Sequence, residues 1–252
     1  SRSEKVGVEA VLQFADDPGL GNIYESVDYS SDGEVTLLQR ASEGNGIDIV
    51  LMGDAFNDKL IADGTYDKVM RVAYRKFFEE EPYRTFKDLF NVYYVNVVSK
   101  HDFYGGETAL EGYFGEGTEV GGNNVTVFNY ALNALGSEER LLESLLIVMM
   151  NSPAYAGTCY MYYPNDGDCG NGVSVSYFPI GTDDESLARL LHHEAGGHGF
   201  SKLSDEYAYE SSGRIPDNVV SEKKRLEAYG WGKNVDYTSD PSEVKWAHFL
   251  KD

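Results

Sequence analysis

The sequence predicts an α/β protein built in three layers, with a mixed, mainly parallel sheet between helices. Three observations point there. Ile47-Asp48-Ile49-Val50-Leu51-Met52 and Leu145-Leu146-Ile147-Val148-Met149-Met150 are near-continuous apolar runs of strand length, the pattern of strands buried on both faces. Between the first run and the strand-like segment Phe90 to Val98 lies a stretch with helical spacing, and a strand–helix–strand order favours parallel pairing. At 42% hydrophobic and 13% aromatic residues the chain can fill a sizeable core, which excludes a disordered acidic tail.

Taken in order, residues 1–45 are a lead-in punctuated by Gly, Ser and Asp, with strand-like pieces at Val8 to Phe14 and Glu34 to Gln39. Gly44-Asn45-Gly46 breaks the chain before residues 46–252, which read as the main domain. The first apolar run closes on Gly53-Asp54. That places Asp54 where α/β sheets hold ligands, although the Gly-Asp context favours a turn or helix cap. From Tyr66 to Glu80 the residues Val69, Val72, Ala73 and Phe77 make one apolar helical face, and Pro82 ends it. Phe90 to Val98 is rich in β-branched and aromatic residues and reads as a strand. Residues 101–129 are Gly-rich and loop-like, with turns at Gly105-Gly106 and Gly121-Gly122. A short helix, Glu138 to Ser144, leads into the second apolar run, and Tyr160 to Tyr163 and Val173 to Phe178 follow as strands.

The chain carries 21 Lys+Arg against 42 Asp+Glu, a net charge of −21. So acidic a surface repels nucleic acid and anionic membranes, which excludes both as primary partners. No stretch approaches the roughly 18 apolar residues of an integral membrane segment. Ser1-Arg2-Ser3-Glu4-Lys5 has no hydrophobic region behind it, as expected of a cytosolic chain or of one whose export signal has been removed. The two cysteines, Cys159 and Cys169, flank Pro164-Asn165-Asp166-Gly167-Asp168. A turn there suits one local disulfide and an oxidising compartment; the alternative is two separate buried thiols. Asn165, Asp166, Asp168 and Asn171 lack the full twelve-residue calcium loop and read as a surface turn.

The chemistry concentrates after Gly181. Thr182-Asp183-Asp184-Glu185 supplies a helix cap and first-turn acids. Leu187, Leu190 and Leu191 then form an apolar face leading into His192-His193-Glu194-Ala195-Gly196-Gly197-His198, which holds three of the five histidines. Zinc hydrolases place His-Glu-x-x-His on a helix, because ligands at i and i+4 share a face and the glutamate reaches the water on the metal. Here His193 and His198 are five apart, which a regular helix turns about 140° out of line. A π-type bulge or the helix end must absorb the extra residue, and Gly196-Gly197 is where such a distortion strains side chains least. A third protein ligand leaves one position for water. Spacing favours Asp205 over Glu206, and Glu222 or Glu227 on a later helix is a further option. The bland reading, a solvated helix end, leaves two helix glycines costing about 1 kcal/mol each with no return.

His193-Glu194-Ala195-Gly196-Gly197-His198-Gly199-Phe200, with Leu203, Asp205, Glu206 and Tyr207 following, resembles the active-site signature of the IgA-peptidase family of zinc metallopeptidases. The Gly-Gly insertion is the extended form of Bacteroides-type members, and the dipeptidyl-peptidase III family also carries a lengthened His-Glu-x-x-x-His. Gly44 to Asp54 resembles the same family, as does the stretch from Trp231 to Trp246 with Asn234-Val235, Asp240-Pro241 and Trp246-Ala247, so the likeness spans roughly residues 40–250.

The resemblance implies a zincin-like catalytic domain over residues 46–252 that hydrolyses peptide bonds in extracellular proteins. It implies a secreted, periplasmic or cell-surface bacterial endopeptidase. On this reading His193, His198 and Asp205 hold Zn²⁺, and Glu194 takes the proton of the zinc-bound water and passes it to the leaving amine. Tyr207 is the nearest electrophile for the oxyanion, and His192 faces solvent or a neighbouring acid. The family's catalytic domain extends beyond the equivalent of Asp252, so the chain is expected to be truncated there. All five methionines precede residue 162, which leaves no Met-turn. The partner is a protein or peptide substrate; immunoglobulin specificity rests on distal surfaces and does not carry over. The alternative is a catalytically inactive secreted binding module on the same scaffold.

Overall fold

A computed structural model describes residues 23–162, 172–181, 183–207, 213–238 and 240–250. The strand expected over residues 8–14, the turn at 165–168, Asn171 and Cys169 fall outside these; Cys159, the other half of the expected Cys159–Cys169 bridge, lies within them as a free, half-buried cysteine.

Six strands form one mixed sheet: β1 (Val35–Gln39), β2 (Ile47–Asp54), β3 (Phe90–Val95), β6 (Leu145–Met150), β7 (Thr158–Met161) and β8 (Ser174–Pro179). Their order is β1-β3-β2-β6-β8-β7. The four inner strands are parallel, and β1 and β7 are antiparallel edges. A second, two-stranded ribbon joins β4 (Tyr113–Phe114) to β5 (Val120–Gly121). β1 comes from the lead-in, so the segment before residue 46 contributes to the same sheet.

The two apolar runs become adjacent central strands, in register from Ile49↔Leu145 to Asp54↔Met150. Side-chain alternation splits them between two cores. Ile49, Leu51, Leu145, Ile147 and Met149 face one side; Val50, Met52, Leu146, Val148 and Met150 face the other. Both sides are covered by helices, which makes the predicted three layers.

Helix α1 (Asp58–Ala62) is short; α2 (Thr65–Phe77) covers the first face. Tyr66, Met70, Ala73 and Phe77 are its most buried residues. The Tyr66 hydroxyl accepts from Gly53 N at 2.7 Å and donates to Val95 O at 2.6 Å, tying the helix to β2 and β3. Burial pushes that hydroxyl's pKa well above its ordinary value, so it stays protonated.

The opposite face is covered by α3 (Asn124–Leu135), in part of a region that the sequence presents as loop. Its first turn is rich in Asn and β-branched residues, which hides the helix. The Asn123 side chain caps it by accepting from Thr126 N, Gly136 ends it at φ +73, and Val127, Ala131 and Leu135 are buried against the sheet. Helix α4 (Glu138–Leu142) then feeds β6. Strand β3 stops at Val95, three residues short of the expected end.

After β8 the chain turns back through α5 (Asp184–Leu190), capped by the Asp183 side chain accepting from Ser186 N at 3.0 Å. It runs directly into a π-helix, Leu191–Phe200. Leu187, Leu191 and Ala195 anchor this unit in the first core. The π-helix lies close on the sheet: a Cβ at Gly199 would stand 2.8 Å from Leu145 Cδ1 and 2.9 Å from Ser174 Oγ. Helix α6 (Asp217–Glu227) follows. Among the described residues no helix is long and apolar enough to cross a membrane.

Candidate metal centre

The five-residue histidine spacing is resolved by a change of helix type. A π-helix bonds i to i+5, as in Ser201 N donating to Gly196 O at 2.9 Å. Residues five apart therefore stack along one face. The His193 and His198 rings sit 4.7 Å apart between centroids, at 76° to each other. Of the two ways to absorb the extra residue, a π-type bulge or the helix end, the chain takes the π form and extends it over ten residues.

Asp205 completes the cluster. Its Oδ1 lies 3.3 Å from His193 Nε2 and 3.2 Å from His198 Nε2. The three donor atoms all lie within 4.8 Å of one another. Ligand atoms about 2.1 Å from one tetrahedral ion stand roughly 3.4 Å apart, so both measured edges suit a common cation. Two neutral imidazoles and a carboxylate are the donor chemistry that zinc takes. His198 Nδ1 is 2.7 Å from Leu203 O; with Nδ1–H donating there, Nε2 turns its lone pair to the cluster. His198 is largely buried, while His193 is half-exposed, so the centre opens to solvent on one side.

Glu194 stands beside the cluster, its Oε1 3.9 Å from His193 Nε2. The side chain is mostly buried against the entry to β7, where a Cβ at Gly157 would lie 3.4 Å from Glu194 Cγ. Burial raises the Glu194 carboxyl above its ordinary pKa, opposed by His193 and His198 and by the Cys159 backbone N–H, while Asp205 adds to the rise.

The remaining candidates have other partners. Glu206 is turned aside, accepting from Asn234 Nδ2 at 2.9 Å. On α6, Glu222 pairs with Arg225, and Glu227 pairs with Lys245. His192 faces neither solvent nor the His193–His198–Asp205 cluster: its Nε2 is 3.0 Å from Phe77 O, and its ring stacks on Tyr83 at 5.9 Å and 14°. Glu80 is 4.0 Å from its Nδ1. Tyr207 is exposed. Asp54 is fully buried and holds the Gly-rich segment, its two oxygens accepting from Leu110 N at 2.9 Å and Gly112 N at 3.0 Å. It is a loop anchor, not a ligand site.

Both glycines lie in the π-helix, at the expected place of the distortion, and Gly196 has a further reason of its own. Neither has a positive φ. A Cβ at Gly196 would meet Tyr83 Cε2 and the hydroxyl oxygen at 2.7 Å, so the ring requires glycine there; at Gly197 the nearest neighbour is His192 O at 3.5 Å.

Lys202, which carries no motif signal, closes the π-helix. Its backbone is left-handed at φ +54, and its buried Nζ donates to Gly199 O and to Gly172 O. Burial brings this amine down to about 8.

A comparison with curated proteins finds no match. The family model described as IgA Peptidase M64 matches residues 35–252, from the first residue of β1 onward and across every residue of the cluster. With its sheet, its π-helix and its converging His193, His198 and Asp205 all inside that match, the chain belongs to the IgA peptidase M64 family.

Proposed function

We propose that the chain is a zinc-dependent endopeptidase with a zincin-like architecture, acting on extracellular proteins. The observation that carries this reading is the convergence of His193 Nε2, His198 Nε2 and Asp205 Oδ1 beside Glu194, in a chain of a peptidase family. His193, His198 and Asp205 are the residues that would hold Zn²⁺. Bound there, zinc supplies Lewis acidity, polarising the scissile carbonyl and lowering the pKa of water.

Glu194 is the general base and then the general acid. It takes a proton from the attacking water and delivers it to the amine that leaves when the C–N bond breaks. Partial burial suits that double role, because a carboxyl raised by desolvation takes the water's proton more readily than an exposed one and holds it until the leaving amine accepts it. The open side of the cluster at His193 gives a peptide room to approach. Export to the periplasm, cell surface or medium fits the acidic surface.

Metal analysis of the purified chain should give one zinc per molecule. Glu194→Gln should retain that zinc and lose peptide cleavage by about 10²–10⁴-fold. Undiminished cleavage by Glu194→Gln would remove Glu194 from the chemistry, and failure to take up zinc would remove the metal.

A further inference from the structure

The segment that supplies Asp205 is held by a residue 29 positions later in the chain. Asn234 Oδ1 accepts from Ser204 N at 2.9 Å, and its Nδ2 donates to Ser204 O at 2.7 Å and to Glu206 Oε1 at 2.9 Å. One amide side chain thus brackets Asp205, gripping the backbone N–H and C=O of the residue before it and the side chain of the residue after it. The amide orientation is unambiguous, because Ser204 N can only donate and Ser204 O can only accept.

The turn carrying Asn234 is docked at a second point. Gly232 N donates to Lys202 O at 2.7 Å, and a Cβ at Gly232 would approach Ser204 Oγ to 2.9 Å. Just upstream, Leu203 O receives His198 Nδ1. The stretch under Asn234's grip therefore supplies one donor atom and the carbonyl that orients another. Asn234 also occupies the Glu206 carboxylate, the neighbouring acid that would otherwise compete for the same cation.

We propose that Asn234 is a positioning residue for the metal centre, setting Asp205 toward the two histidines and keeping Glu206 away from them. The proposal rests on the reading of His193, His198 and Asp205 as zinc ligands. Residues that orient ligands in this way are commonly worth 10–100-fold in metal affinity.

The test is zinc affinity, measured by chelator competition on the whole metal-free chain, with melting temperature followed in parallel. Asn234→Ala should bind zinc 10–100-fold more weakly while melting within a few degrees of the parent. Asn234→Asp, which keeps the shape and the Oδ1 acceptor, serves where the alanine variant does not fold. It should also weaken zinc binding, because two carboxylates then face each other across positions 234 and 206. Adding Glu206→Gln to Asn234→Asp should recover part of the loss, because the glutamine can donate to the new carboxylate; a purely structural role predicts no such recovery. Asp205→Ala reports on the ligand reading itself. Parent-like zinc affinity in both Asn234 variants, with Asp205→Ala impaired, would overturn the role of Asn234 alone. Parent-like affinity in Asp205→Ala would overturn both.

Discussion

Gly196 and Gly197 are neighbours in sequence and in helix type, yet the structure predicts opposite outcomes for the same substitution. Replacing a helix-interior glycine by alanine gains about 0.5–1 kcal/mol, through reduced freedom of the unfolded chain. At Gly197 nothing opposes this gain, since the nearest atom to an added Cβ is His192 O at ordinary van der Waals distance, 3.5 Å. Gly197→Ala should therefore raise the melting temperature by about 1–4 °C for a chain of this length. At Gly196 the added Cβ falls 2.7–2.8 Å from two ring carbons and the hydroxyl oxygen of Tyr83. That ring cannot swing away: it is buried, 4.5 Å from Phe77, and packed against His192 and Phe200. Overpacking of this kind costs about 1–3 kcal/mol, so the net effect is a loss of up to about 2.5 kcal/mol and the two variants should melt roughly 2–12 °C apart. Thermal unfolding monitored by circular dichroism measures both, with zinc content checked alongside. Tyr83→Ala combined with Gly196→Ala should show a favourable coupling of about 1 kcal/mol or more. A Gly196→Ala protein as stable as Gly197→Ala would refute the claim that the Tyr83 ring selects glycine at 196.

Two further expectations concern groups away from the donor atoms. Asp54→Ala strands the buried N–H of Leu110, at about 1–3 kcal/mol, while Gly112 N keeps Thr108 Oγ1 at 3.2 Å; urea unfolding should show a loss of about 1–3 kcal/mol, and a loss below about 0.5 kcal/mol would show that the anchor is dispensable. Lys202 releases its proton at about 8 in the folded chain against 10.5 ordinarily, so between these values the unfolded chain binds more protons and stability rises with pH. Relative to Lys202→Met, the parent should gain up to roughly 3 kcal/mol between pH 7 and pH 10.5, at about 1.4 kcal/mol per pH unit; a pH-independent difference between the two proteins would show that Lys202 is not desolvated.

The strands that build the sheet centre are legible because burial on both faces leaves an apolar signature with no polar interruption, as in β6. Helix α2 is legible for the related reason that one buried face repeats at helical spacing. Helix α3 is not, because its first turn carries residues that favour loops and strands, and its burial against the sheet outweighs that preference. The histidine pair is legible with its difficulty: the five-residue interval requires an i to i+5 turn, and the chain provides one over ten residues.

Distances along a continuous helix follow from residue spacing, so the pairing of His193 with His198 belongs to the chain's own pattern. Choices that depend on where the chain travels after the helix do not. Asp205 and Glu206 are chemically alike and adjacent, and their separation into one residue at the cluster and one beside Asn234 is made by a turn nearly thirty residues away. His192 is likewise drawn to Phe77 O by a helix more than a hundred residues earlier. Gly196 owes its identity to a ring at Tyr83. Local spacing limits which side chains can share a face; hydrogen bonds and close packing between distant segments decide which of them the site receives.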